Sequence, residues 1–327
     1  MSTKGLVARP LAAGESEAWD RLASRHGCVF DSARWTGLFG PSLSRLGIYD
    51  SGGNLRGGFC VWEQRRFGLR VLRNPPYTSQ VGPFYEPKAT NPAARTDEQR
   101  GIVGAMADYL SFSGAAVVSL GLSLRIEDTL PFYWCGWKVV PYFTYRINLA
   151  QDEKTLLAAM STERRKNVHK AQKDGLVVEE VADTGPMRAL VMETYARQEM
   201  AFPMATTDKV FSGFPPGRNS YCLIARASGG PVAGVYVVHD SRTAYYLIGG
   251  YADGAHHGAG ALAMWHAILR AKELGLEVFD FEGSVIPPIE RYFRGFGGVL
   301  TPYLSIHKAW LPLEIALKLR PRYRNRF

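Results

Sequence analysis

Cysteine is scarce in this 327-residue chain and poorly spaced for chemistry. Cys28, Cys60, Cys135 and Cys222 lie far apart, no pair has CxxC spacing, and no histidine stands at metal-ligand distance in sequence from any of them. That pattern excludes a disulfide framework and a zinc site, and it fits buried free thiols in a reducing compartment. A long apolar run is also missing, so no segment is expected to span a bilayer. The first residues, MSTKGLVARPLAAGESEAW, have no signal-peptide apolar core. The expected location is therefore cytoplasmic. Acidic residues are outnumbered, 30 against 39 Lys and Arg, which gives a net charge of +9. Such a surplus favours polyanionic partners: tRNA, phosphorylated cofactors such as coenzyme A, pyrophosphate-linked lipids or a membrane surface.

Apolar residues make up 46% and charged residues 21%, enough for each half to bury a core. The length suits two domains or one large one. The pattern predicts helices at 18–25, from Asp31 onward, and at 96–113, with short strands between them punctuated by Gly and Asn. Residues 74–92, rich in Pro, Tyr, Gly and Ser, read as an ordered binding loop. Residues 132–148 read as strand. A helix is predicted over 152–174, closed by Gly175. Its second part carries Arg164, Arg165, Lys166, His169, Lys170 and Lys173, with four of these cations on one face. A solvated basic helix explains such a run, and so does a surface that meets an anion. The second half then repeats the plan of the first: helix, strand meander, glycine-rich turn 249–260, helix 261–274 and an apolar strand at Val278. The tail, 311–327, reads as a short apolar helix ending in Arg320, Arg322, Arg324 and Arg326.

At one fixed offset, Pro141-Tyr142 falls on Pro302-Tyr303, Gly136 on Gly297, Phe132 on Phe293, Gly114 on Gly275, and Val117-Val118 on Val278-Phe279. A duplicated α+β domain explains these matches. The ionisable residues do not repeat: Glu282 falls on Gly121, Gly283 on Leu122 and Arg291 on Leu130. If one copy does chemistry, it is the second. Its stretch 278–303 runs from strand to carboxylate, flexible glycine, proline turn and arginines, a pattern suited to an active site as well as to a plain strand–turn–helix.

Three stretches carry a family resemblance: YRINL followed by LLAAMSTERRKNVHKAQKDG, then YYLIGGYADGAHHGAGALAMWHAILRAKELG, then FDFEGS…IERYFRGFGG. Together they resemble the GNAT N-acyltransferases of the Fem-like type, the peptidoglycan-bridge aminoacyltransferases and related acetyltransferases with paired GNAT-like domains. The resemblance implies two tandem GNAT-like domains, each a mixed, mostly antiparallel sheet flanked by helices. The expected division is a substrate-recognition domain at 1–150, a basic helical linker at 151–180, and a catalytic domain with the donor loop at 181–327. Two features depart from the family pattern. The donor loop usually resembles Q/R-x-x-G-x-G/A, and Ala255 stands at its leading position. The long helical arm of some bridge-forming enzymes is missing.

The resemblance implies transfer of an acyl group from acyl-CoA (acetyl-CoA), or of an aminoacyl group from aminoacyl-tRNA, to an amine of a cell-envelope or polysaccharide precursor, with no metal. Glu282 is the expected base and Tyr292 the acid for the leaving group. Gly258, Ala259 and Gly260 at a helix N-terminus would approach donor phosphates, joined by His256, Arg291 and Arg294. Gly283, Ser284, Arg164, Arg165 and Lys308 are the expected substrate-binding residues. The basic tail suggests peripheral contact with the inner face of a membrane. The competing reading is a non-catalytic module that binds RNA or anionic lipid through phosphates, with steep salt dependence.

Overall fold

The computed structural model describes residues 5–199, 203–283, 285–320 and 326–327. Ser284, Arg322 and Arg324 lie outside the described residues. The chain forms two compact units, Met1–Tyr142 with Pro302–Phe327, and Phe143–Thr301. The boundary thus falls earlier than residue 150, and the last residues return to the first unit.

The first unit contains strand β1 (Val7–Pro10), helices α1 (Ser16–His26) and α2 (Ala33–Gly37), and strands β2 (Leu43–Tyr49), β3 (Leu55–Arg66), β4 (Leu69–Arg73) and β5 (Phe84–Tyr85). Helix α3 (Pro92–Ser111), strand β6 (Val117–Gly121), helix α4 (Leu130–Trp134) and the start of strand β7 (Lys138–Asn148) follow. The second unit continues β7 into helices α5 (Glu153–Ala159) and α6 (Thr162–Lys173), strand β8 (Val177–Glu180), and helices α7 (Gly185–Arg197) and α8 (Met204–Gly213). Next come strands β9 (Ser220–Ala227), β10 (Gly230–His239) and β11 (Thr243–Tyr251), helix α9 (Ala259–Glu273), strand β12 (Val278–Asp280) and helix α10 (Pro287–Arg294). Strand β13 (Val299–Ala309) then carries the chain to helix α11 (Leu311–Lys318) in the first unit.

Both units have the expected α+β build, a mostly antiparallel sheet with helices against it. Strands of the first run β1-β2-β3-β4-β6-β13, with only β4 and β6 parallel. Strands of the second run β8-β9-β10-β11-β12-β7, with only β11 and β12 parallel. The repeat read from the sequence has a structural counterpart. Strands β7 and β13 occupy matching positions, and Gly114, Gly275, Gly136 and Gly297 all have positive φ, where a Cβ would be strained. Within the first unit β6 pairs with residues 305–309 of β13, and within the second β12 pairs with residues 146–148 of β7. Each repeat therefore donates its last strand to the other repeat's sheet.

The first core packs α3, through Ile102, Val103 and Met106, against Trp19, Phe59, Phe84 and Phe132. The second packs α9, through Leu262, Met264 and Ile268, against Tyr221, Val235, Phe279 and Phe281. Phe281 stacks on Phe296 with ring centroids 5.6 Å apart and lies 5.2 Å from Phe279 and from Phe293.

Several elements differ from the pattern read in the sequence. The basic segment 152–174 is two helices, not one. Met160 is extended, Ser161 accepts the amide of Arg164, and the Arg165 guanidinium donates to the carbonyls of Ala158 and Met160. Capping on both sides of the break offsets the lost helical bonds. This segment is also not a free linker, because Leu156, Met160, Val168 and Ala171 are buried in the second core. Residues 130–134 open as a helical turn with Pro131 in its first turn. Helix α8 has no counterpart in the sequence reading.

His307 on β13 is only 2% exposed. Burial, and then the charge of Arg326, holds its imidazole down to about 4 against an ordinary 6.5. The unfolded chain therefore takes up this proton first as pH falls, so His307 stabilises fully above about pH 6.5 and progressively less between 6.5 and 4. Urea titrations across that window should give a shallower pH dependence for His307→Phe than for the parent. Replacing Phe281 by Ala should cost about 3–5 kcal/mol, measured by the same titrations, because the aromatic cluster cannot close over the vacated volume.

Candidate active site

The site is built where two parallel strands part. Strands β11 and β12 pair only at Thr243/Val278, Ala244/Phe279 and Tyr245/Asp280. Beyond that point β11 runs on to Tyr251, held on its other side by β10. Strand β12 stays with β7, where the amide of Phe281 reaches the carbonyl of Tyr145 at 3.0 Å. The edge of β11 past Tyr245 therefore has no strand partner on the β12 side among the described residues. An unpaired edge of this kind can hydrogen-bond an extended ligand.

The turn after β11 leads into α9, with Gly258 as N-cap. A Cβ at Gly258 would come within 2.2 Å of the Asn167 carbonyl oxygen and 3.0 Å of the Ala171 Cβ. Only glycine lets the turn lie this close to α6. His256 fixes the same turn from the other side: its Nδ1 accepts the Gly258 amide at 3.0 Å, so its Nε2 carries the proton and donates to Asp174 at 2.8 Å. Lys170, and then His256, hold the Asp174 carboxyl below the usual carboxylate range. At Gly260 a Cβ would meet only the Tyr292 hydroxyl, at 3.5 Å. The first turn of α9 thus presents glycine backbone and the positive end of the helix dipole beside a tyrosine O–H.

Tyr292 lies on α10. Its ring packs against Phe296, 5.1 Å between centroids, and sits under the Arg164 guanidinium at 4.8 Å. Burial pushes its phenol well above the ordinary value, so it is a neutral O–H donor at any physiological pH. Glu290, two residues earlier on the helix, accepts the Tyr145 hydroxyl at 2.6 Å and Arg294 Nε at 2.9 Å. The first bond ties α10 to β7, and the second is an i,i+4 pair within α10.

At the end of β12, Asp280 is 1% exposed. Its Oδ1 accepts the Thr144 hydroxyl at 2.6 Å and the Glu282 amide at 2.9 Å. Arg146 Nε stands 3.1 Å from Oδ2, but neither atom completes an aligned hydrogen bond. Burial dominates and raises the Asp280 carboxyl, against the opposing pull of Thr144 and Arg146. Glu282 itself adopts φ +60, and Gly283 follows at φ +75 with the Phe143 carbonyl oxygen 2.1 Å from where its Cβ would be. A left-handed glutamate costs of the order of 1–3 kcal/mol and persists only where its surroundings impose it. Here Asp280 imposes it, by holding the Glu282 amide.

With this geometry in view, the sequence of residues 158–294 matches the model of a family described as an acetyltransferase (GNAT) domain. That stretch is a GNAT acyltransferase domain. The fold of the chain is also Fem-like. The crystal structure of FemX superposes with a TM-score of 0.67 over 95% of this chain and 99% of that one, at 10% identity. The C-terminal domain of a putative lysylphosphatidylglycerol synthetase from Agrobacterium fabrum gives 0.60, covering 93% and 95%, at 13% identity. A tandem GNAT protein from the clavulanic acid biosynthesis pathway gives 0.52, covering 93% and 98%, at 14% identity. No curated protein sequence matches the chain.

Within the GNAT domain the structure groups some of the expected residues and separates others. Tyr292, Gly260 and Arg164 come together, as do Gly258, Ala259 and His256. Both His256 nitrogens are engaged, one by the Gly258 amide within the turn and one by Asp174 at the end of α6, so it shapes the loop, and a direct contact to a donor would break one of those bonds. Arg165 is occupied by the carbonyls between α5 and α6 and is no longer available to a substrate. Arg294 is bonded to Glu290, whereas Arg291 is exposed with no ion pair among the described residues. Lys308 belongs to the first unit, where its Nζ donates to the Cys135 carbonyl at 2.9 Å and stands over Trp137. The sequence reading missed Asp280, Arg146 and Asp174. Asp280 and Arg146 were visible only as polar residues inside apolar strands. Among the described residues no group of three or more His, Cys, Asp or Glu could hold a metal ion.

Replacing Gly258 by Val should cost about 1–3 kcal/mol, because the side chain must push α9 off α6. The shift should appear in the urea midpoint, and Gly254→Ala, in open space at φ +62, should cost less.

Proposed function

We propose that this acyltransferase moves an acyl or aminoacyl group from acyl-CoA or aminoacyl-tRNA to an amine of a cell-envelope or polysaccharide precursor. The observation that carries the reading is the slot between β11 and β12, with the Gly258–Gly260 turn and the Tyr292 hydroxyl at its end. The similar structures, FemX and a lysylphosphatidylglycerol synthetase domain, support an aminoacyl donor and an envelope acceptor. The GNAT family match supports acyl-CoA.

A bound donor supplies the activated carbonyl and the leaving sulfur or oxygen. The free edge of β11 would orient its extended arm, and the amides that open α9 would meet its phosphates. Glu282 would take the proton that the attacking amine loses as the new C–N bond forms. Tyr292 would give its proton to the leaving atom as the old C–S or C–O bond breaks. Asp280 would act through Glu282, fixing its backbone. The division of labour between the units, with recognition in the first and chemistry in the second, belongs to the same proposal. So does peripheral contact with an anionic membrane; among the described residues no helix is long and apolar enough to cross one.

One observation favours a non-catalytic reading. Lys166, His169, Lys170 and Lys173 are all exposed on α6, and among the described residues only Lys170 of these has an ion-pair partner, Asp174 at 2.6 Å. Such a face suits RNA or anionic lipid.

Acetyl-CoA or a charged tRNA, whichever is the donor, should raise the melting temperature of the purified chain. With that donor and a panel of amine acceptors, Glu282→Gln should lower kcat by about 10²–10⁴-fold while donor binding stays nearly unchanged. Unchanged turnover would remove Glu282 as base. Tyr292→Phe should lower kcat by about 10²-fold without moving the melting temperature. Absence of transfer with either donor class would favour the binding module.

A further inference from the structure

Acyl transfer to an amine moves two protons and one electron pair. Glu282 and Tyr292 account for the protons. The electron pair moves onto the donor's carbonyl oxygen when the amine adds, and that oxygen has no assigned partner. A hydrogen-bond donor fixed beside such an oxygen is among the largest single contributions to this chemistry.

Tyr246 is the first residue of β11 beyond its last pair with β12. The ladder between β10 and β11 shifts register at this point: Tyr246 pairs with Val237 and Ile248 with Tyr236, so Leu247 is an extra residue. A bulge of this kind re-aims the side chain beside it. In a regular strand, residues 246 and 249 would point to opposite faces. Here the Tyr246 ring lies over Gly249, where a Cβ would come within 1.9 Å of the phenol oxygen and 3.0 Å of Cζ. Gly250 faces the other way, its Cβ position 2.7 Å from the backbone of Leu190 and Val191 on α7. Glycine at 249 therefore leaves the phenol its place on the stretch of β11 that β12 has left.

The hydroxyl is free and reachable. It makes no hydrogen bond to any described residue, the ring is only half-buried, and the oxygen is not one of the sealed, unpartnered polar atoms. Burial, and then Tyr251, pushes the phenol well above its ordinary value, so it stays a neutral O–H donor. Its ring centroid lies 5.6 Å from Phe293 and 6.4 Å from Phe281, which are 5.2 Å apart. Phe281 directly precedes Glu282, and Phe293 directly follows Tyr292, whose ring is 6.0 Å away. One aromatic cluster thus seats the base, the acid and this third group. The Tyr292 phenol is raised first by burial and next by Tyr246, as expected of neighbouring phenols.

We propose that Tyr246 is a further catalytic residue, whose hydroxyl donates to the donor's carbonyl oxygen and holds the negative charge that develops there. This rests on the acyl-transfer reading of the slot. The amine lone pair forms the C–N bond, the C=O π pair moves onto the oxygen beneath the Tyr246 O–H, and Glu282 takes the amine proton. The pair then returns, the C–S or C–O bond breaks, and Tyr292 protonates the leaving atom. Tyr246 keeps its own proton throughout.

Three variants of the full chain test this, assayed for turnover with acetyl-CoA and with charged tRNA, and for melting temperature. Tyr246→Phe should lower kcat about 10²-fold, with little change in donor KM or melting temperature. Gly249→Ala pushes the ring aside, so it should lower kcat about as far and lower the melting temperature as well. Tyr246→Phe combined with Gly249→Ala removes the colliding oxygen, so it should recover most of the melting temperature and none of the kcat. A Tyr246→Phe kcat within about threefold of the parent would overturn the proposal. So would a raised donor KM at unchanged kcat, which marks a contact made equally before and during reaction. If Glu282→Gln is inactive in the same assay, either result removes Tyr246 alone. No transfer by the parent with either donor would overturn the reading of the slot, and this inference with it.

Discussion

The parting of β11 and β12 after three paired residues is the constraint on which the candidate active site depends. Parallel strands that stay together bury both edges, and a sheet that closes has no place for an extended ligand. Here β12 follows β7 and β11 follows β10. The edge exposed between them must be lined by groups that tolerate both solvent and a ligand. The sequence meets that need with small residues and tyrosines: Gly249, Gly250, Gly258 and Gly260, with Tyr246 and Tyr292 beside them.

The position of Glu282 follows from the same parting. Once Phe281 leaves β11, the chain must turn sharply, and Asp280 holds the turn from inside. Its carboxylate is buried against Thr144 and Arg146 and accepts the amide of Glu282. Burying such a carboxylate is unfavourable unless hydrogen bonds compensate. Two hydrogen bonds to Oδ1 and the Arg146 charge offset part of that cost, and burial still dominates. A backbone in the left-handed region at a non-glycine residue is thus explained by a named partner. The Glu282 backbone is thus held against the end of β12.

Duplication accounts for why one chain carries two differently equipped copies. The scaffold positions, glycines at positive φ and the paired Pro-Tyr, recur because both copies need the same turns and the same exchanged strand. The polar residues diverge because nothing in the scaffold requires them. In the first copy the sheet floors a cavity with arginines and aromatic rings. In the second the sheet opens beside a glycine turn and a helix N-terminus.

The sequence by itself determined the α+β build, the repeat, the Fem-like GNAT resemblance and the segments from which the candidate site is drawn. These are local signals: strand and helix periodicity, glycine positions, and the order of short motifs. The tertiary structure alone decided which polar residues are free to act. Arg165, Arg294, His256 and Lys308 look equally available in sequence, yet each has a partner supplied by a carbonyl or side chain that folding brings to it. Asp280 and His307 reverse the case. Each looks like an ordinary residue in an apolar strand, and burial shifts the titration of each, Asp280 upward and His307 downward. Desolvation depends on what surrounds a group in three dimensions, so no reading of neighbours along the chain could have assigned it.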